Sequence, residues 1–299
     1  MTPSSGLAAR FEAVSKRFGA VRALDGVDFE IGRAETVALL GPNGAGKSTT
    51  IGLLLGMQKA DAGRVSVLGD SPERAVASGR VAAMLQEGGL PQGATVAELV
   101  GFVRQLYPRP LPLGETLALA GLEDLAGRRV ERLSGGQAQR VRFALAMAGN
   151  PELAFLDEPT TGMDVEARRA FWDRMRSFAA EGRTVLFATH YLEEADAVAD
   201  RIVVLQRGRV IADGAATAIK ARTTQRFVRC TLPGADEAML RSLPGVTDLS
   251  RHGDVVRLTT GDADATVQAL YAGGLAVRDL EVTGAGLEEA FLSLIGGTR

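Results

Sequence analysis

The sequence lacks most of the features that mark secreted and membrane-spanning proteins. Cys230 is the only cysteine in 299 residues, which excludes a disulfide framework and a cysteine-based metal site and fits a reducing compartment. No stretch approaches the ~20 uninterrupted apolar residues that a transmembrane helix needs. The first ten residues, MTPSSGLAAR, contain no basic start followed by an apolar run, so we expect no secretion signal. Any role that requires crossing a membrane would therefore need a second chain.

The charge balance gives no sign of nucleic-acid binding either. The formal net charge is −2, which is no polycation signal, so no nucleic-acid partner is predicted. The sequence shows no internal repeat, no low-complexity tract and no sustained heptad pattern. A chain of 299 residues can form one large domain, either alone or with a small second one.

Residues 1–220 alternate strand-like and helix-like segments, as α/β proteins do. The predicted strands lie at 24–31, 35–40, 64–68, 81–85, 153–156, 184–188, 201–205 and 209–212. Those that are short and apolar throughout are suited to a buried parallel sheet. The last two flank Gly208 and predict a hairpin. A helix is predicted at 47–56, shortly after an apolar run.

The pattern becomes helical and strand-poor over residues 88–149. Thr95 and Glu98 have the spacing of a capping box, which predicts a helix from there to Tyr107, where prolines follow. A second helix is predicted at 114–120. A long third helix is expected to begin within the segment LSGGQ and to end near 148, before Gly-Asn-Pro.

A composition shift at 220–225 predicts a domain boundary, so we assign residues 1–222 to one domain and 223–299 to another. The order of patterns in the second domain is βαββαβα, which is typical of a small α+β unit. Its strands are predicted at 227–232, 246–250, 255–259 and 276–282, and its helices at 236–242, 263–272 and 287–295. Its role stays open among dimer contact, partner docking, regulation and simple stabilisation of the fold.

A glycine-rich segment, GPNGAGKST at residues 41–49, joins an apolar strand to a helix. Glycines let such a loop wrap closely and point its N–H groups at phosphate oxygens, and the following helix adds its positive end. Lys47 is expected to reach the terminal phosphates and Ser48 to ligate Mg²⁺. The alternative is a chance glycine-rich turn. The predicted nucleotide-binding residues here are Gly41, Pro42, Asn43, Gly44, Ala45, Gly46, Lys47, Ser48 and Thr49.

Two acidic residues end the apolar strand LAFLD. Asp157 is placed to hold Mg²⁺ through water, as in other P-loop NTPases. Glu158 is the candidate general base for an attacking water, a role worth roughly 10² to 10⁴-fold in rate. The alternative is an exposed acidic pair at the end of a strand.

The segment LSGGQ precedes that strand. Ser134, Gly135, Gly136 and Gln137 stand at the start of a predicted helix, where free N–H groups and the helix dipole favour an anion. The alternative is an ordinary serine N-cap followed by flexible glycines.

The order of these three segments resembles that of ABC-type ATPases, and the resemblance covers residues 11–214. It implies an α/β P-loop NTPase of ABC ATPase type with an inserted helical subdomain (about 88–149) and, here, a small C-terminal α+β domain. A narrower likeness is to the ATP-binding subunits of bacterial ABC-2 type exporters, including multidrug and antibiotic-resistance members. The phrases THYLEEADAVADRIVVLQRGRVIADG (189–214) and LEEAFLSLIGG (287–297) carry it.

The resemblance also implies roles for four residues outside these segments. His190 is similar to the family's switch histidine, which contacts the γ-phosphate and helps to hold Glu158 and the water. Gln86 resembles the Q-loop glutamine, a Mg²⁺ and water contact, and Asp164 the D-loop aspartate that bridges two sites. Phe18 stands where an aromatic ring stacks on adenine, although the family more often has Tyr there. A solvated or core His190, a surface Gln86 and a core Phe18 are the alternatives.

In this family two chains enclose two ATP molecules, and LSGGQ of each faces the γ-phosphate held by the other. The resemblance therefore implies ATP and Mg²⁺ as cofactors, a second copy and a separate ABC-2 type permease as partners, and a place on the cytoplasmic face of the cell membrane. Export is favoured over import. A DNA-repair ATPase lacks support without coiled-coil or zinc insertions, and a translation factor usually has two cassettes. A non-hydrolysing regulatory module is the remaining alternative.

Overall fold

The computed structural model describes residues 6–86, 88–223 and 225–296. Contacts divide the chain into two compact units, of which the first ends at Ala215 and the second begins at Ala216. The division lies before residue 222, where the composition shift places the predicted boundary. Within the described ranges, every helix is too short or too polar to span a membrane.

The first unit contains nine strands, seven α-helices and two short 3-10 helices within the residues described. Its strands are β1 (Leu7–Phe18), β2 (Val21–Gly32), β3 (Thr36–Leu40), β4 (Ala62–Val67), β5 (Val81–Met84), β6 (Leu153–Asp157), β7 (Thr184–Ala188), β8 (Arg201–Gln206) and β9 (Arg209–Gly214). Its helices are α1 (Lys47–Leu54), α2 (Pro72–Ala77), α3 (Val96–Arg104), α4 (Leu113–Ala120), α5 (Gly135–Met147), α6 (Val165–Ala180) and α7 (Leu192–Val198).

A six-stranded sheet in the order β5-β6-β7-β3-β8-β9 forms the centre of this unit. Its first five strands run parallel, and β9 pairs antiparallel with β8 as the predicted hairpin. Every residue of β3, β6 and β7 is buried, as their unbroken apolar runs predict for strands covered on both faces. The predicted parallel strands and hairpin are confirmed.

A second, antiparallel sheet has the order β2-β1-β4. The rings of Phe11 on β1 and Phe29 on β2 stack with their centroids 4.6 Å apart, and both are buried. No sequence pattern predicted β1. Its register shifts several times against β2, and each shift interrupts the alternation of apolar and polar side chains that would reveal a strand.

Helices α3, α4 and α5 lie between β5 and β6 in the chain and pack against one another. The capping box that opens α3 is confirmed: Thr95 Oγ1 accepts from the Glu98 N–H at 3.2 Å, and Glu98 Oε2 accepts from the Thr95 N–H at 2.7 Å. The helix ends at Arg104 rather than at Tyr107, and a turn begins at its C-cap residue, Gln105. The predicted helix-rich segment is confirmed.

The second unit contains α8 (Ala216–Lys220), β10 (Arg226–Thr231), α9 (Glu237–Arg241), β11 (Val246–His252), β12 (Val255–Thr260), α10 (Ala263–Ala272), β13 (Arg278–Gly284) and α11 (Leu287–Gly296). Its antiparallel sheet has the order β11-β12-β10-β13. Val228, Cys230, Leu240 and Leu258 are among the residues of its own apolar core. The predicted succession βαββαβα is present here, after the short helix α8.

Candidate nucleotide-binding and catalytic site

The carboxyl ends of the parallel strands carry the predicted site. The glycine-rich loop follows β3, Asp157 ends β6, and His190 follows β7 closely. Ligands of open α/β sheets bind at this edge, where neighbouring strands deliver their loops to one crevice. A pocket of about 450 Å³ opens there, lined by Val21, Ala23, Asn43, Gly44, Gly46, Lys47, Ser48, Thr49, Gln86, Asp157 and Glu158.

Two glycines of the loop are required by close backbone contacts. A Cβ atom on Gly41 would lie 2.4 Å from the carbonyl oxygen of Leu205. A Cβ atom on Gly46 would lie 2.7 Å from the carbonyl oxygen of Ala23, and Gly46 also has a φ of +111° that favours glycine. Helix α1 starts directly after Gly46 with no side-chain cap and no acidic residue in its first turn. The residues of its first turn line the pocket, so its first N–H groups and its positive end suit an anion there.

Lys47 is held by the loop that precedes it. Its Nζ donates to the carbonyl oxygens of Gly41 at 2.6 Å and Pro42 at 3.2 Å. Burial lowers the pKa of Lys47, and the nearby carboxylates of Glu158 and Asp157 oppose that shift. The ammonium group is therefore bonded to the glycine-rich loop and attracted by the two acidic side chains, and its contact with a terminal phosphate stays a prediction.

Ser48 and Asp157 provide the oxygen donors that a Mg²⁺ ion requires. Ser48 Oγ lies 3.5 Å from Asp157 Oδ2, and Asp157 is 6% exposed. Burial raises the pKa of Asp157, while the charge of Lys47 opposes the rise. A hydroxyl and a buried carboxylate beside a phosphate cradle fit a hard divalent cation, and Gln86 lines the same pocket. The predicted Mg²⁺ ligands are thus brought together, and their role stays a prediction.

Glu158 and His190 form a close pair, with 2.6 Å between Glu158 Oε2 and His190 Nδ1. Burial raises the pKa of Glu158, and the neighbouring imidazole opposes the rise. The backbone of Glu158 has a φ of +52°, which is uncommon outside glycine. Two hydrogen bonds hold it there: its N–H donates to the Ala188 carbonyl at 2.9 Å, and its carbonyl accepts from Gln139 Nε2 at 3.0 Å. Backbone of this kind persists where the surroundings fix it, and it is frequent at functional sites.

The segment LSGGQ does not line this pocket. Ser134 caps α5, accepting from the Gln137 N–H at 3.3 Å, and Gln137 Oε1 accepts from the Ser134 N–H at 3.0 Å. A Cβ atom on Gly136 would lie 2.9 Å from the Gly162 carbonyl oxygen, whereas one on Gly135 would meet nothing within 4 Å. Ser134 and Gly135 are exposed. One chain therefore presents the phosphate cradle and the LSGGQ segment as separate surfaces.

Asp164 and Phe18 also lie outside the pocket lining. Asp164 is the N-cap of α6, its Oδ1 accepting from the Ala167 N–H at 2.8 Å. Phe18 ends β1 and is 48% exposed, which excludes the alternative of a core residue. The Lys16 ammonium lies 5.5 Å from the centre of its ring. An exposed aromatic ring is available for stacking, and its contact with adenine stays a prediction.

Two buried residues of the site were not predicted from the sequence. Gln139 on α5 holds the Glu158 backbone, as described above. Glu194 on α7 accepts hydrogen bonds from the hydroxyls of Thr160 at 2.6 Å and Thr189 at 2.9 Å. The contacts of Gln139 with Glu158 and of Glu194 with Thr160 join residues that are far apart in the sequence, and no local pattern marks either of them. The contact of Glu194 with Thr189 spans five positions. The one available signal was that Glu194 lies inside the phrase THYLEEADAVADRI.

The parallel sheet, the glycine loop and the acidic pair together define a P-loop ATPase. The sequence profile of ABC transporters matches residues 24–161. The daunorubicin resistance ATP-binding protein of Streptomyces coeruleorubidus is 37% identical, with 96% of each chain covered. The Nod factor export ATP-binding protein I of a Rhizobium species (strain N33) is 35% identical, with 98% of each covered. The chain belongs to the ABC transporter family.

Solved structures agree with this assignment. An ATP-binding subunit of an ABC transporter is similar with a TM-score of 0.65 and 29% identity, covering 72% of this chain and 92% of that one. A dimeric, post-hydrolysis ATP-binding cassette bound to ADP and Pi has a TM-score of 0.63 and 26% identity, covering 69% of this chain and 98% of that one. The predicted family, fold and ATPase activity are confirmed.

Proposed function

We propose that two copies of this chain enclose ATP between them and that its hydrolysis powers export through a separate membrane subunit. The observation that supports this most directly is the separation of the two halves of the site. The glycine loop, Asp157 and Glu158 line one pocket, while Ser134 and Gly135 are exposed elsewhere on the surface. A second copy would add its LSGGQ segment to the first copy's pocket. The dimeric cassette described above supports such an arrangement.

The side chains around the pocket suit hydrolysis of a terminal phosphate. Lys47 and the N-terminus of α1 bind the phosphate oxygens. Glu158 accepts a proton from water as the water oxygen bonds to the γ-phosphorus and the bond to the β-phosphate oxygen breaks. His190 orients the Glu158 carboxylate through its 2.6 Å contact. Ser48, Asp157 and Gln86 would hold a Mg²⁺ ion, which would supply positive charge against that of the phosphates.

Closure and opening of the dimer would couple ATP hydrolysis to the membrane subunit. Donors at the start of α5 contact the γ-phosphate in the closed state and lose that contact after hydrolysis, which biases a two-state equilibrium. The separate helices α3–α5 are a surface on which a partner's cytoplasmic helices could be held and moved. An ABC-2 type permease at the cytoplasmic face of the membrane fits this role, and the export and drug-resistance relatives support it. Both aligned relatives span almost the whole chain, including the second unit.

The Glu158→Gln variant tests this proposal. It keeps the shape of the side chain and removes the proton acceptor, so it should bind ATP, form a stable dimer and lose turnover by about 10² to 10⁴-fold. Light scattering after gel filtration in saturating ATP and Mg²⁺ measures the dimer. The matched control is the double variant Lys47→Ala/Glu158→Gln, which should stay monomeric. A Glu158→Gln protein that stays monomeric in saturating ATP, with and without the membrane partner, would refute the proposal.

Turnover of the wild type tests the proposed role of Glu158 in hydrolysis. If the wild type hydrolyses ATP no faster than Glu158→Gln, Glu158 is not the proton acceptor.

The membrane partner has its own test. A hydrophobic six-helix protein encoded beside this chain should copurify with it and raise its ATPase rate, and failure of both would contradict the exporter assignment.

A further inference from the structure

A buried carboxylate connects the two loops that carry Glu158 and His190. Glu194 lies in the first turn of α7 and is only 5% exposed. Its Oε1 accepts from Thr160 Oγ1 at 2.6 Å, and its Oε2 accepts from Thr189 Oγ1 at 2.9 Å. Both threonines are 1% exposed. Each oxygen of this one buried carboxylate therefore accepts a hydrogen bond from a different loop.

These two threonines stand next to the catalytic pair. Thr160 follows Glu158 by two positions, after Pro159, and Thr189 directly precedes His190. Thr189 Oγ1 also accepts from the Tyr191 N–H at 3.0 Å. Two hydrogen bonds therefore fix the side chain of Thr189, the residue next to His190. The loops after β6 and β7 are thus tied together by a bridge that runs from threonine to carboxylate to threonine. Glu194 itself does not touch the pocket.

Arg168 on α6 supplies the positive charge that this buried carboxylate needs. Its Nε lies 3.7 Å from Glu194 Oε1, and its guanidinium carbon lies 4.3 Å from the ring centre of Tyr191. The ring of Tyr191 in turn lies 4.0 Å from that of His190. A buried charge is costly unless it is paired and hydrogen-bonded, so the carboxylate is stable only where it keeps these partners. The partners therefore define its position. The cluster of Glu194, Thr160, Thr189, Arg168 and Tyr191 is called the Glu194 bridge below.

We propose that Glu194 is a positioning residue that sets the distance between Glu158 and His190 through the Glu194 bridge. The proposal rests on the proposed function, because it assigns Glu194 a part in hydrolysis. A displacement of about 1 Å at a reacting group costs on the order of 10²-fold in rate. Loss of the bridge should therefore lower kcat for ATP hydrolysis while ATP affinity, which depends on the glycine loop, changes little.

Three substitutions at Glu194 separate the effect of side-chain length from the effect of charge. Glu194→Gln keeps the length, and its amide can accept from one threonine and donate to the other, so hydrolysis should stay within about threefold of the wild type. Glu194→Asp keeps the charge but is one methylene shorter and cannot span both hydroxyls. Glu194→Ala removes the bridge altogether. We expect the Asp and Ala variants to lose about 10 to 100-fold in kcat with an unchanged Kd for ATP.

The experiment measures kcat, KM and the Kd for ATP of the full chain in Mg²⁺, with thermal unfolding as a check of the fold. The matched control is Glu193→Ala, because Glu193 is the exposed neighbour on the same helix and should leave every value unchanged. A double-variant cycle adds the decisive reading: in a His190→Ala background, Glu194→Ala should cost little more. Full additivity of the two losses, or a folded Glu194→Ala protein with wild-type kcat, would overturn the proposal.

Two further variants apply if Glu194→Ala does not fold. Thr160→Val and Thr189→Val preserve volume and each remove one hydroxyl of the bridge, so each should lower kcat by about fivefold or more without changing the Kd for ATP. Wild-type kcat in both would overturn the proposal. Its failure is distinct from failure of the proposed function, since Glu158→Gln would still abolish turnover in that case.

Discussion

Glu158 and His190, from the ends of two adjacent parallel strands, place their side chains 2.6 Å apart. The glutamate side chain is 10% exposed and the histidine side chain 58% exposed, so the pair joins the interior of the site to its surface. The imidazole can orient the carboxylate and also meet a ligand from its exposed side. The protonation state of Glu158 can therefore be tested by measuring kcat as a function of pH.

The acid side of the pH profile should reflect the raised pKa of Glu158. A protonated carboxyl cannot accept a proton from water, so kcat should fall as pH drops through the raised pKa, at a higher pH than an ordinary glutamate gives. Because the imidazole opposes that rise, His190→Ala should move the midpoint further upward. Burial also raises the pKa of Asp157, so the acid limb of the pH profile reports the titration of both carboxyl groups. An acid limb at or below pH ~4.3 would contradict this assignment.

Lys47→Ala should weaken ATP binding itself. The ammonium is expected to bond to phosphate, and hydrogen bonds to charged groups contribute about 1.5–3 kcal/mol, or about 10 to 100-fold in Kd. Titration with a fluorescent ATP analogue measures the effect. Lys59→Ala is the matched control, since Lys59 is exposed and does not line the pocket. Unchanged affinity in Lys47→Ala would contradict the assignment of the glycine loop.

Asp157→Asn should stabilise the nucleotide-free protein while abolishing turnover. The folded state raises the pKa of Asp157, so the fold disfavours the ionised form, and that penalty is present above the folded pKa. At neutral pH the variant should gain about 1 kcal/mol, or roughly 2 °C in Tm, and the gain should shrink as pH falls through the folded pKa. Thermal unfolding at several pH values measures it. A lower Tm at pH 7 would show that the carboxylate stabilises the fold instead.

Gly135 and Gly136 should respond differently to alanine. A Cβ on Gly136 would come within 2.9 Å of the Gly162 carbonyl oxygen, so Gly136→Ala must displace backbone and should lower Tm. Gly135 has open space around its Cβ position, so Gly135→Ala should keep or slightly raise Tm. If a second copy uses this surface, Gly135→Ala should still weaken ATP-dependent dimerisation in the Glu158→Gln background. Equal Tm changes in the two variants would contradict the packing argument.

Local signals in the sequence predicted most of the nucleotide-binding core. Apolar runs predicted the buried strands β3, β6 and β7, and the spacing of Thr95 and Glu98 predicted the start of α3. Helix α6 was not predicted, although the spacing of its buried Phe171, Trp172, Met175 and Phe178 is helical, so its signal was present. Strand β1 was a different case, because its shifts in register erase the alternation on which a strand prediction depends.

The site divides along the same line. Residues 41–49, Asp157 and Glu158 could be predicted because contiguous residues carry their chemistry. Gln139 and Glu194 could not, because the contact of Gln139 with Glu158 spans 19 positions and that of Glu194 with Thr160 spans 34, and both exist only once the sheet and its helices have assembled. Their side chains are buried and polar, a combination that is recognisable only after burial is known.

The reciprocal hydrogen bonds between Ser134 and Gln137 have a consequence for the encounter of two copies. Both side chains are fixed by their own helix, so this turn is ordered before any partner arrives, and its conformational entropy is lost during folding. When two copies associate, the entropy that is lost is then mainly that of whole-chain translation and rotation rather than that of loops. This favours rapid association and dissociation. A surface that is ordered in advance suits an ATPase whose two copies associate and separate once in every cycle of ATP binding and hydrolysis.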